Sequence, residues 1–394
     1  MESYKVNTPE GTRDKLFGES DRRRSAEAAI TKLFRRRGYR EVITPGVEFY
    51  DLFVQAQNPL PQESMLKLVD RSGRILVLRP DCTTPIARVA ATRLAENHMP
   101  QRLFYNQTIF RSQDADHGVS SEISQCGIEL IGAAGLRADV EAVALAVEAL
   151  RAAGLEDFRI ELGHTGFFTA LAAEMELGEE KIRALRDCIE NKSFAVLDDM
   201  LADETSSAAA AMKRIAVLFG GPEILDEART LTDSPAALTV IEYLSGIYSE
   251  LETAGMGKYI SFDLGIVSGL EYYTGLIFRG YAHGAGSVIV AGGRYDNLIN
   301  DFGKAIPATG FAVYVDSLVS CLPREAAVEV DTIIYYKSGC LRQALELINT
   351  LPAGSAELSD SESESGCMDA AFARGFKRML IVSKTGTVEV NIGG

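Results

Sequence analysis

Cysteine and histidine, two residue types that often do chemistry, are scattered along this chain in no catalytic or metal-binding pattern. The six cysteines form no Cys-x-x-Cys pair, and none has a histidine at a zinc-site spacing. They are Cys82, Cys126, Cys188, Cys321, Cys340 and Cys367. The histidines, each expected at the surface or in a loop, are His98, His117, His164 and His283. We therefore expect reduced thiols, no metal site and no cysteine–histidine dyad.

Two short runs of arginine, at 22–24 and 35–37, raise the alternative of contact with nucleic acid. The net charge of −15 weighs against it, because bound phosphates must be neutralised by local lysine or arginine. The runs flank apolar residues with helical spacing, among them Ala26, Ile30 and Phe34. We therefore favour a solvated or subunit-facing helix surface over a nucleic-acid contact.

Length and composition are typical of a water-soluble protein with two or three domains. The chain has 394 residues, of which 46% are hydrophobic and 24% are charged, close to globular averages. Residues 1–14 are polar, and no run approaches the ~18 apolar residues of a membrane-spanning helix. We expect a cytoplasmic protein without a membrane partner.

The order of elements in the first part favours a mixed, mainly antiparallel sheet. A helix is predicted from Ser20 or Asp21 to Gly38, and a second one over 85–94. Strands are predicted at 40–44, 75–78, 102–111 and 124–131. Few crossover helices separate these strands, so an α+β fold is expected.

A helical insertion is predicted in the middle of the chain. After a helix at 139–153 and a strand at 158–162, the segment 167–253 is rich in helix formers, with no competing strand pattern. A buried strand at 287–291 and a tight turn at Gly292-Gly293 follow. The remaining segments, 1–166 and 254–322, are assigned to one domain that contains the predicted sheet.

A small α/β domain is predicted at 331–394, after a change of composition near Leu322-Pro323. Its strands are predicted at 332–336, 379–383 and 387–392, with a helix at 341–351. The segment 359–366 is acidic and rich in serine, which favours a mobile loop.

Four segments in chain order carry a resemblance to a known family. They are Leu78-Arg79-Pro80-Asp81-Cys82-Thr83, Gln125-Cys126-Gly127-Ile128-Glu129, Gly269-Leu270-Glu271-Tyr272-Tyr273-Thr274-Gly275 and Gly292-Gly293-Arg294-Tyr295-Asp296. The first two resemble the LRPEGT and Q-x-G-x-E segments of class II histidyl-tRNA synthetases, and the last two resemble that family's histidine-specific signatures. The resemblance runs to about residue 320 and implies a class II synthetase-like sheet flanked by helices.

The resemblance also implies a pocket for histidine. The residues that it assigns to this pocket are Asp81, Thr83, Arg111, Gln125, Glu129, Tyr272 and Tyr273. Carboxylate and amide oxygens can accept from the α-ammonium of a ligand, and a carboxylate with a phenol can satisfy both imidazole nitrogens. In the structural alternative, Asp81 caps the next helix, Glu129 pairs with an arginine, and the tyrosines belong to the core. The six positions other than Arg111, taken together in family order, favour the ligand.

The same resemblance indicates that synthetase chemistry has been lost. Amino-acid activation by ATP requires fixed cations to meet the developing negative charge. Ser268 and Ser317 stand where the family has arginines, Gln113 replaces a glutamate, and the loop 118–122 lacks the family's arginines. Two missing cations imply a rate lower by about 10⁴ to 10⁶. The short, acidic tail also argues against tRNA as a partner.

A histidine pocket without ATP and tRNA handling is similar to the family of ATP phosphoribosyltransferase regulatory subunits. This resemblance implies a non-catalytic chain that uses no cofactor, binds a short-form catalytic transferase and L-histidine, and acts in the first step of histidine biosynthesis. It also implies a dimer formed through the segment around Pro45. Histidine would bind one state of the complex better, with ~1 to 3 kcal/mol of coupling, in this pocket or at a subunit interface.

Two alternatives from other functional classes remain open. One is an active histidyl-tRNA synthetase with unusual cations, which would exchange pyrophosphate with ATP. The other is a free-standing histidine-binding module without a transferase partner.

Overall fold

The structure, a computed structural model, describes residues 6–54, 60–112, 120–175, 177–267, 273–323 and 330–392. The chain divides into a larger unit, of residues 1–15 and 19–322, and a smaller unit, of residues 16–18 and 323–394. No helix within the described ranges is long and apolar enough to span a membrane.

The described part of the larger unit contains twelve strands. They are β1 (Arg40–Glu41), β2 (Val47–Phe49), β3 (Lys67–Val69), β4 (Ile75–Leu78), β5 (Gln101–Phe110), β6 (Glu122–Ile131), β7 (Phe158–His164), β8 (Phe219–Gly220), β9 (Ile260–Asp263), β10 (Leu276–Ala282), β11 (Val290–Arg294) and β12 (Ala308–Tyr314). Nine of them form one sheet in the order β1-β5-β6-β12-β11-β10-β7-β9-β8, and β2, β4 and β3 form another. Pairs in the large sheet are antiparallel except β1–β5 and β7–β9. The α+β class with a mixed, mainly antiparallel sheet is therefore as predicted.

Helices pack against both faces of this sheet. Those in the described part of the larger unit are α1 (Phe17–Arg36), α2 (Asp51–Val54), α3 (Thr83–Thr92), α4 (Leu136–Ala152), α5 (Thr165–Glu174), α6 (Glu179–Glu190), α7 (Phe194–Met200), α8 (Ser207–Ile215), α9 (Glu223–Thr230), α10 (Pro235–Thr253) and α11 (Val315–Cys321). The Phe34 ring of α1 lies 5.9 Å from the rings of Phe104 and Phe311 in the sheet. Because alternate strand residues face opposite ways, the neighbours of Phe104 and Phe311 point to the other face.

The segment predicted as almost purely helical is mainly helical and contains one short strand. Helices α5 to α10 lie between 165 and 253, and β8 pairs antiparallel with β9 at the edge of the large sheet. This strand is the exception to the predicted helical pattern. The pairing partner of β8 comes from outside the segment, so local periodicity does not reveal it.

The pair Gly292-Gly293 lies inside β11, so the predicted tight turn at this position is wrong. A Cβ on Gly292 would collide with the carbonyl of Gly310, and one on Gly293 would lie 2.8 Å from the Tyr273 ring. Glycine is required here because neighbouring strands and a ring approach the backbone closely, which is a known use of strand glycine.

The smaller unit is an α/β layer structure in the part that the structure describes. Its elements are β13 (Thr332–Tyr336), α12 (Leu341–Ile348), β14 (Ala356–Leu358), α13 (Glu364–Ala373), β15 (Arg378–Ser383) and β16 (Gly386–Asn391). The sheet order is β14-β13-β15-β16, with only β15–β16 antiparallel. The segment 359–366, predicted as a loop, in fact runs into α13. The Ser363 hydroxyl caps this helix by accepting from the Gly366 N–H at 3.1 Å.

The second arginine run of α1 is engaged in ion pairs. Arg35 donates to Glu41 at 2.6 Å, and Arg37 donates to Glu148 of α4. These arginines are therefore partly neutralised where they lie, as suits a solvated helix surface.

Candidate functional site

A cavity of about 220 Å³ lies on the face of the large sheet opposite α1 and α4. Six of the seven residues assigned to the histidine pocket line it, and the seventh, Tyr272, lies outside the described residues. The six are Asp81, Thr83, Arg111, Gln125, Glu129 and Tyr273. A cavity of this size is below the ~300 to 1,000 Å³ of typical small-molecule pockets and suits a ligand as small as an amino acid.

Asp81 lies just before α3 and contributes both to the helix and to the cavity. Its Oδ1 accepts from the Thr84 N–H at 2.8 Å, and its Oδ2 accepts from the Thr84 hydroxyl at 2.9 Å. The capping alternative is thus realised, but an ionised carboxylate has about four acceptor positions, so capacity remains. Burial raises the pKa of Asp81 above its ordinary value of 3.8.

Glu129 is the buried carboxyl at the centre of the site, with 2% of its surface exposed. It accepts from the Thr83 hydroxyl at 2.8 Å and from the Tyr295 hydroxyl. No arginine or lysine of the described residues forms an ion pair with it, so the arginine-pair alternative for Glu129 is wrong. Burial raises the pKa of Glu129 from 4.5 to about 8, and the two hydroxyl donors only partly oppose this.

The sheet floor beneath Glu129 is built from small residues. Gly310 of β12 pairs with Glu129, and Gly293 of β11 pairs with Gly310. A Cβ on Gly310 would collide with the Glu129 carboxylate. The glycines therefore leave room both for this carboxyl and for a ligand above the floor.

The cavity is also lined by residues that were not assigned to it from the sequence, among them Tyr105, Arg279 and Tyr295. Tyr295 belongs to the Gly-Gly-Arg-Tyr-Asp segment, so its motif was a usable signal. The register of strand pairing places Tyr105 and Arg279 at the cavity. A local sequence pattern does not specify this register.

Arg294, between the two cavity residues Gly293 and Tyr295, points to the opposite face of the sheet. Its guanidinium donates twice to Asp139 of α4, at 2.8 and 3.0 Å, and Asp139 is fully buried. Asp139 also accepts from the Tyr243 hydroxyl of α10 at 2.7 Å. This cluster joins the cavity strand β11 to two helices.

His164 does not lie in a surface loop as expected. It ends β7, and its Nδ1 accepts from the Gly166 N–H at 3.0 Å, which caps α5. Burial lowers the pKa of His164 to about 4, so the imidazole is neutral and able to accept this bond.

Of the positions predicted to depart from the synthetase pattern, Ser317 and residues 120–122 of the loop 118–122 fall within the described ranges. Ser317 lies on α11 with its hydroxyl 2.9 Å from the Ser287 hydroxyl. Ser268, Gln113 and residues 118–119 of the loop 118–122 lie outside those ranges.

Comparison with known proteins places this fold and cavity in a family. The histidyl-tRNA synthetase family profile matches residues 11–318. The ATP phosphoribosyltransferase regulatory subunit of Clostridium botulinum strain Langeland is 41% identical over 360 residues, which cover 89% of this chain and 85% of the relative. That of Clostridium kluyveri is 37% identical over 391 residues, covering 97% and 100%.

Solved structures give the same result. A protein from Bacillus halodurans described as an ATP phosphoribosyltransferase regulatory subunit/histidyl-tRNA synthetase has a TM-score of 0.83 at 30% identity, covering 94% of this chain and 97% of that one. The histidyl-tRNA synthetase of Nostoc sp. PCC 7120 has a TM-score of 0.77 at 20% identity, covering 98% and 97%, and supports the fold alone.

Fold and cavity together define a class II histidyl-tRNA synthetase-like protein, which confirms the predicted fold class. Within that class, the chain belongs to the family of ATP phosphoribosyltransferase regulatory subunits. The predicted resemblance to this family is also confirmed.

Proposed function

We propose that this chain is a non-catalytic regulatory subunit of an ATP phosphoribosyltransferase. It serves the first step of L-histidine biosynthesis and the response of that step to histidine. Its partner is a short-form catalytic transferase, and its ligand is L-histidine. The names of its relatives and the cavity on its synthetase-like sheet, which contains the carboxyl groups of Asp81 and Glu129, support this proposal.

The observation that carries the ligand assignment is the buried Glu129 carboxyl and its hydroxyl partners. A carboxyl held by Thr83 and Tyr295 presents a fixed donor or acceptor to an imidazole nitrogen. A ligand without such nitrogens would leave the remaining hydrogen-bonding capacity of this buried carboxyl unused, so the site favours histidine over apolar amino acids. Asp81 and Gln125 supply acceptors for the α-ammonium.

The absence of catalysis is proposed from side-chain chemistry. Ser317 offers a hydroxyl, shared with Ser287, where the resemblance implies an ATP-binding arginine. A neutral hydroxyl offers no full positive charge to a developing phosphate charge. We expect no histidine-dependent exchange of pyrophosphate with ATP, and exchange at a synthetase-like rate would establish the active-synthetase alternative.

Self-association through the segment around Pro45 is part of the proposal. Ile43 is 79% exposed, and Phe49 and Val69 of the three-stranded sheet are 50% and 73% exposed. Exposed apolar side chains concentrated near one small sheet are typical of a protein–protein contact.

The decisive experiment mixes the purified chain with a short-form transferase and follows phosphoribosyl transfer to ATP. We expect turnover to rise on mixing and histidine to change the turnover of the complex. The transferase alone and a mixture with an unrelated dimeric protein serve as controls. Unchanged turnover, together with no co-elution of the two chains, would exclude the regulatory-subunit assignment and leave a free-standing module.

A further inference from the structure

Two cationic side chains, Arg111 and Arg279, occur among the described residues that line the cavity. Arg111 follows β5, and its Nε donates to the Pro80 carbonyl at 2.9 Å, next to Asp81. It is thus tethered at the end of the cavity that holds acceptors for an ammonium. Arg279 comes from β10 and approaches from another direction.

The strand registers place Arg279 at the end of a row of small residues. Gly127 of β6 pairs with Ala312 of β12, which pairs with Ala291 of β11. Ala291 in turn pairs with Arg279 of β10. Directly paired residues share one face of a sheet, and three strand spacings separate the ends of this row by about 14 Å. The row therefore forms a floor of small residues, covered at Gly127 by the Tyr105 ring, that ends at a long cationic side chain.

Arg279 already has an anionic partner outside the cavity. Its guanidinium donates to Glu190 at the C-terminal end of α6 at 2.8 Å, and each side chain is 26% exposed. Glu161 pairs with Arg279 across β7 and β10, and Lys192 lies 3.0 Å from Asp263 in the same neighbourhood. Arg279 thus connects the cavity wall to the helices between β7 and β9.

We propose that Arg279 is the specificity-determining residue for the ligand's carboxylate, and that a bound carboxylate competes with Glu190 for its guanidinium. This inference rests on the proposed function. A zwitterionic amino acid that places its ammonium near Asp81 and its side chain at Glu129 still has a carboxylate to satisfy. Guanidinium binds carboxylate through paired, charge-assisted hydrogen bonds, and its five N–H donors allow it to exchange one carboxylate for another.

Competition between the ligand's carboxylate and Glu190 for Arg279 couples ligand binding in the cavity to α6. When the ligand's carboxylate takes the Arg279 donors, Glu190 loses its partner and the end of α6 is released from β10. Ligand binding in the cavity then changes the contacts of α6, a helix that carries none of the proposed ligand-binding residues.

The test compares L-histidine with L-histidinamide, which replaces the carboxylate by a neutral group of the same shape. Calorimetry gives the ratio of the two dissociation constants. In the unmodified chain we expect histidine to bind about 10- to 100-fold more tightly, the range for a hydrogen bond to a charged group. In Arg279→Gln the ratio should fall to about 3 or less, with histidinamide affinity nearly unchanged. A retained ratio, or equal loss of both ligands, overturns the inference.

A second variant keeps Arg279 in place and predicts the opposite effect. Glu190→Gln removes the competing charge, so histidine should bind more tightly while histidinamide does not, and the ratio should rise by about 3-fold or more. A ratio that is unchanged or lower contradicts competition, and this result does not depend on whether Arg279→Gln folds.

Arg111→Gln is the matched comparison. If the ratio collapses in Arg111→Gln and survives in Arg279→Gln, the carboxylate belongs to Arg111 and the inference is wrong. If the unmodified chain binds neither ligand, the proposed function fails instead. If it binds both equally, the ligand assignment stands and the role of Arg279 does not.

Discussion

At the scale of single residues, Glu129 sets the character of the cavity. It is nearly fully buried, it is fixed by the hydroxyls of Thr83 and Tyr295, and no described cation neutralises it. Because burial raises its pKa to about 8, the carboxyl is mostly protonated at neutral pH. A protonated carboxyl can donate to one imidazole nitrogen, which an ionised one cannot.

The raised pKa makes the stability of the chain depend on pH. The folded carboxyl holds its proton up to about pH 8, whereas the unfolded one releases it near 4.5, so the folded state binds more protons between these values. The stabilisation is complete below pH 4.5 and is lost as the pH rises through 8. In Glu129→Gln, urea unfolding between pH 5 and 9 should show a smaller decline in the free energy of unfolding, by a few kcal/mol.

Other titrating groups also contribute to the pH dependence of the free energy of unfolding. The comparison between Glu129→Gln and the unmodified chain therefore needs a control variant with the same change of charge. Glu242→Gln serves, because Glu242 is exposed on α10. Its pH profile should parallel that of the unmodified chain. Parallel profiles for both variants would show that Glu129 is already ionised in the folded state near pH 7.

Gly310, which lies opposite Glu129, should be required for histidine binding because a larger residue there would displace the Glu129 carboxyl. In Gly310→Ala the new Cβ meets the Glu129 carboxylate and the Ile128 carbonyl, so the carboxyl must move. We expect weaker histidine binding by calorimetry, and a loss of about 1 to 3 kcal/mol in stability from overpacking. Gly286→Ala is the control, because a Cβ there has nothing within 4 Å and should leave both quantities unchanged. Normal histidine affinity in Gly310→Ala would place the ligand elsewhere.

At the scale of elements, one buried ion pair fastens the cavity strand to the helical layer. Arg294 of β11 donates twice to Asp139 of α4, which also accepts from Tyr243 of α10. A strand and two helices thus share one carboxylate. Asp139 therefore connects α4 and α10 to β11, which contributes Ala291 and Gly292 to the cavity lining.

Removal of one partner of this pair should cost far more than removal of an exposed one. Asp139→Asn leaves the buried guanidinium of Arg294 with only the partly exposed Asp296, 3.0 Å away, as a charged partner, and we expect a loss of up to about 3 to 5 kcal/mol in urea unfolding. Glu346→Gln breaks the exposed pair with Arg342 and should cost below about 1 kcal/mol. Similar losses in the two variants would mean that Arg294 finds water or Asp296 as a replacement.

The main strands and helices were predictable where their pattern is local. Strands β5 and β6 and helix α4 follow from apolar periodicity, and the ordered motifs brought Asp81, Gln125 and Glu129 to one cavity. These residues meet because alternate positions of β6 share a face and the start of α3 lies beside it.

Elements that depend on distant partners were not predictable in this way. Gly292-Gly293 has the local signature of a turn, and only the approach of Gly310 and Tyr273 shows why a strand needs it. The hydroxyl of Tyr295 reaches Glu129 through the pairing of β11 with β12 and of β12 with β6. Such register is set by tertiary packing rather than by neighbouring residues.

At the scale of the whole molecule, the proposed role requires a binding site whose occupancy changes an assembly. The family to which the chain belongs is defined by subunits named for regulation of a transferase. Histidine can alter turnover only if it binds one state of the complex better than another. The proposal therefore implies a measurable coupling between the cavity and the transferase contact.

This coupling must appear equally in two independent measurements. If the transferase changes the affinity of this chain for histidine by some factor, histidine must change the affinity of the chain for the transferase by the same factor, expected at about 5- to 150-fold. Calorimetry gives the first ratio and analytical ultracentrifugation, with and without histidine, gives the second. In Glu129→Gln both ratios should fall towards one, while assembly without histidine persists. Equal affinities in the free and assembled states would show that histidine regulates the complex, if at all, through a site outside this chain.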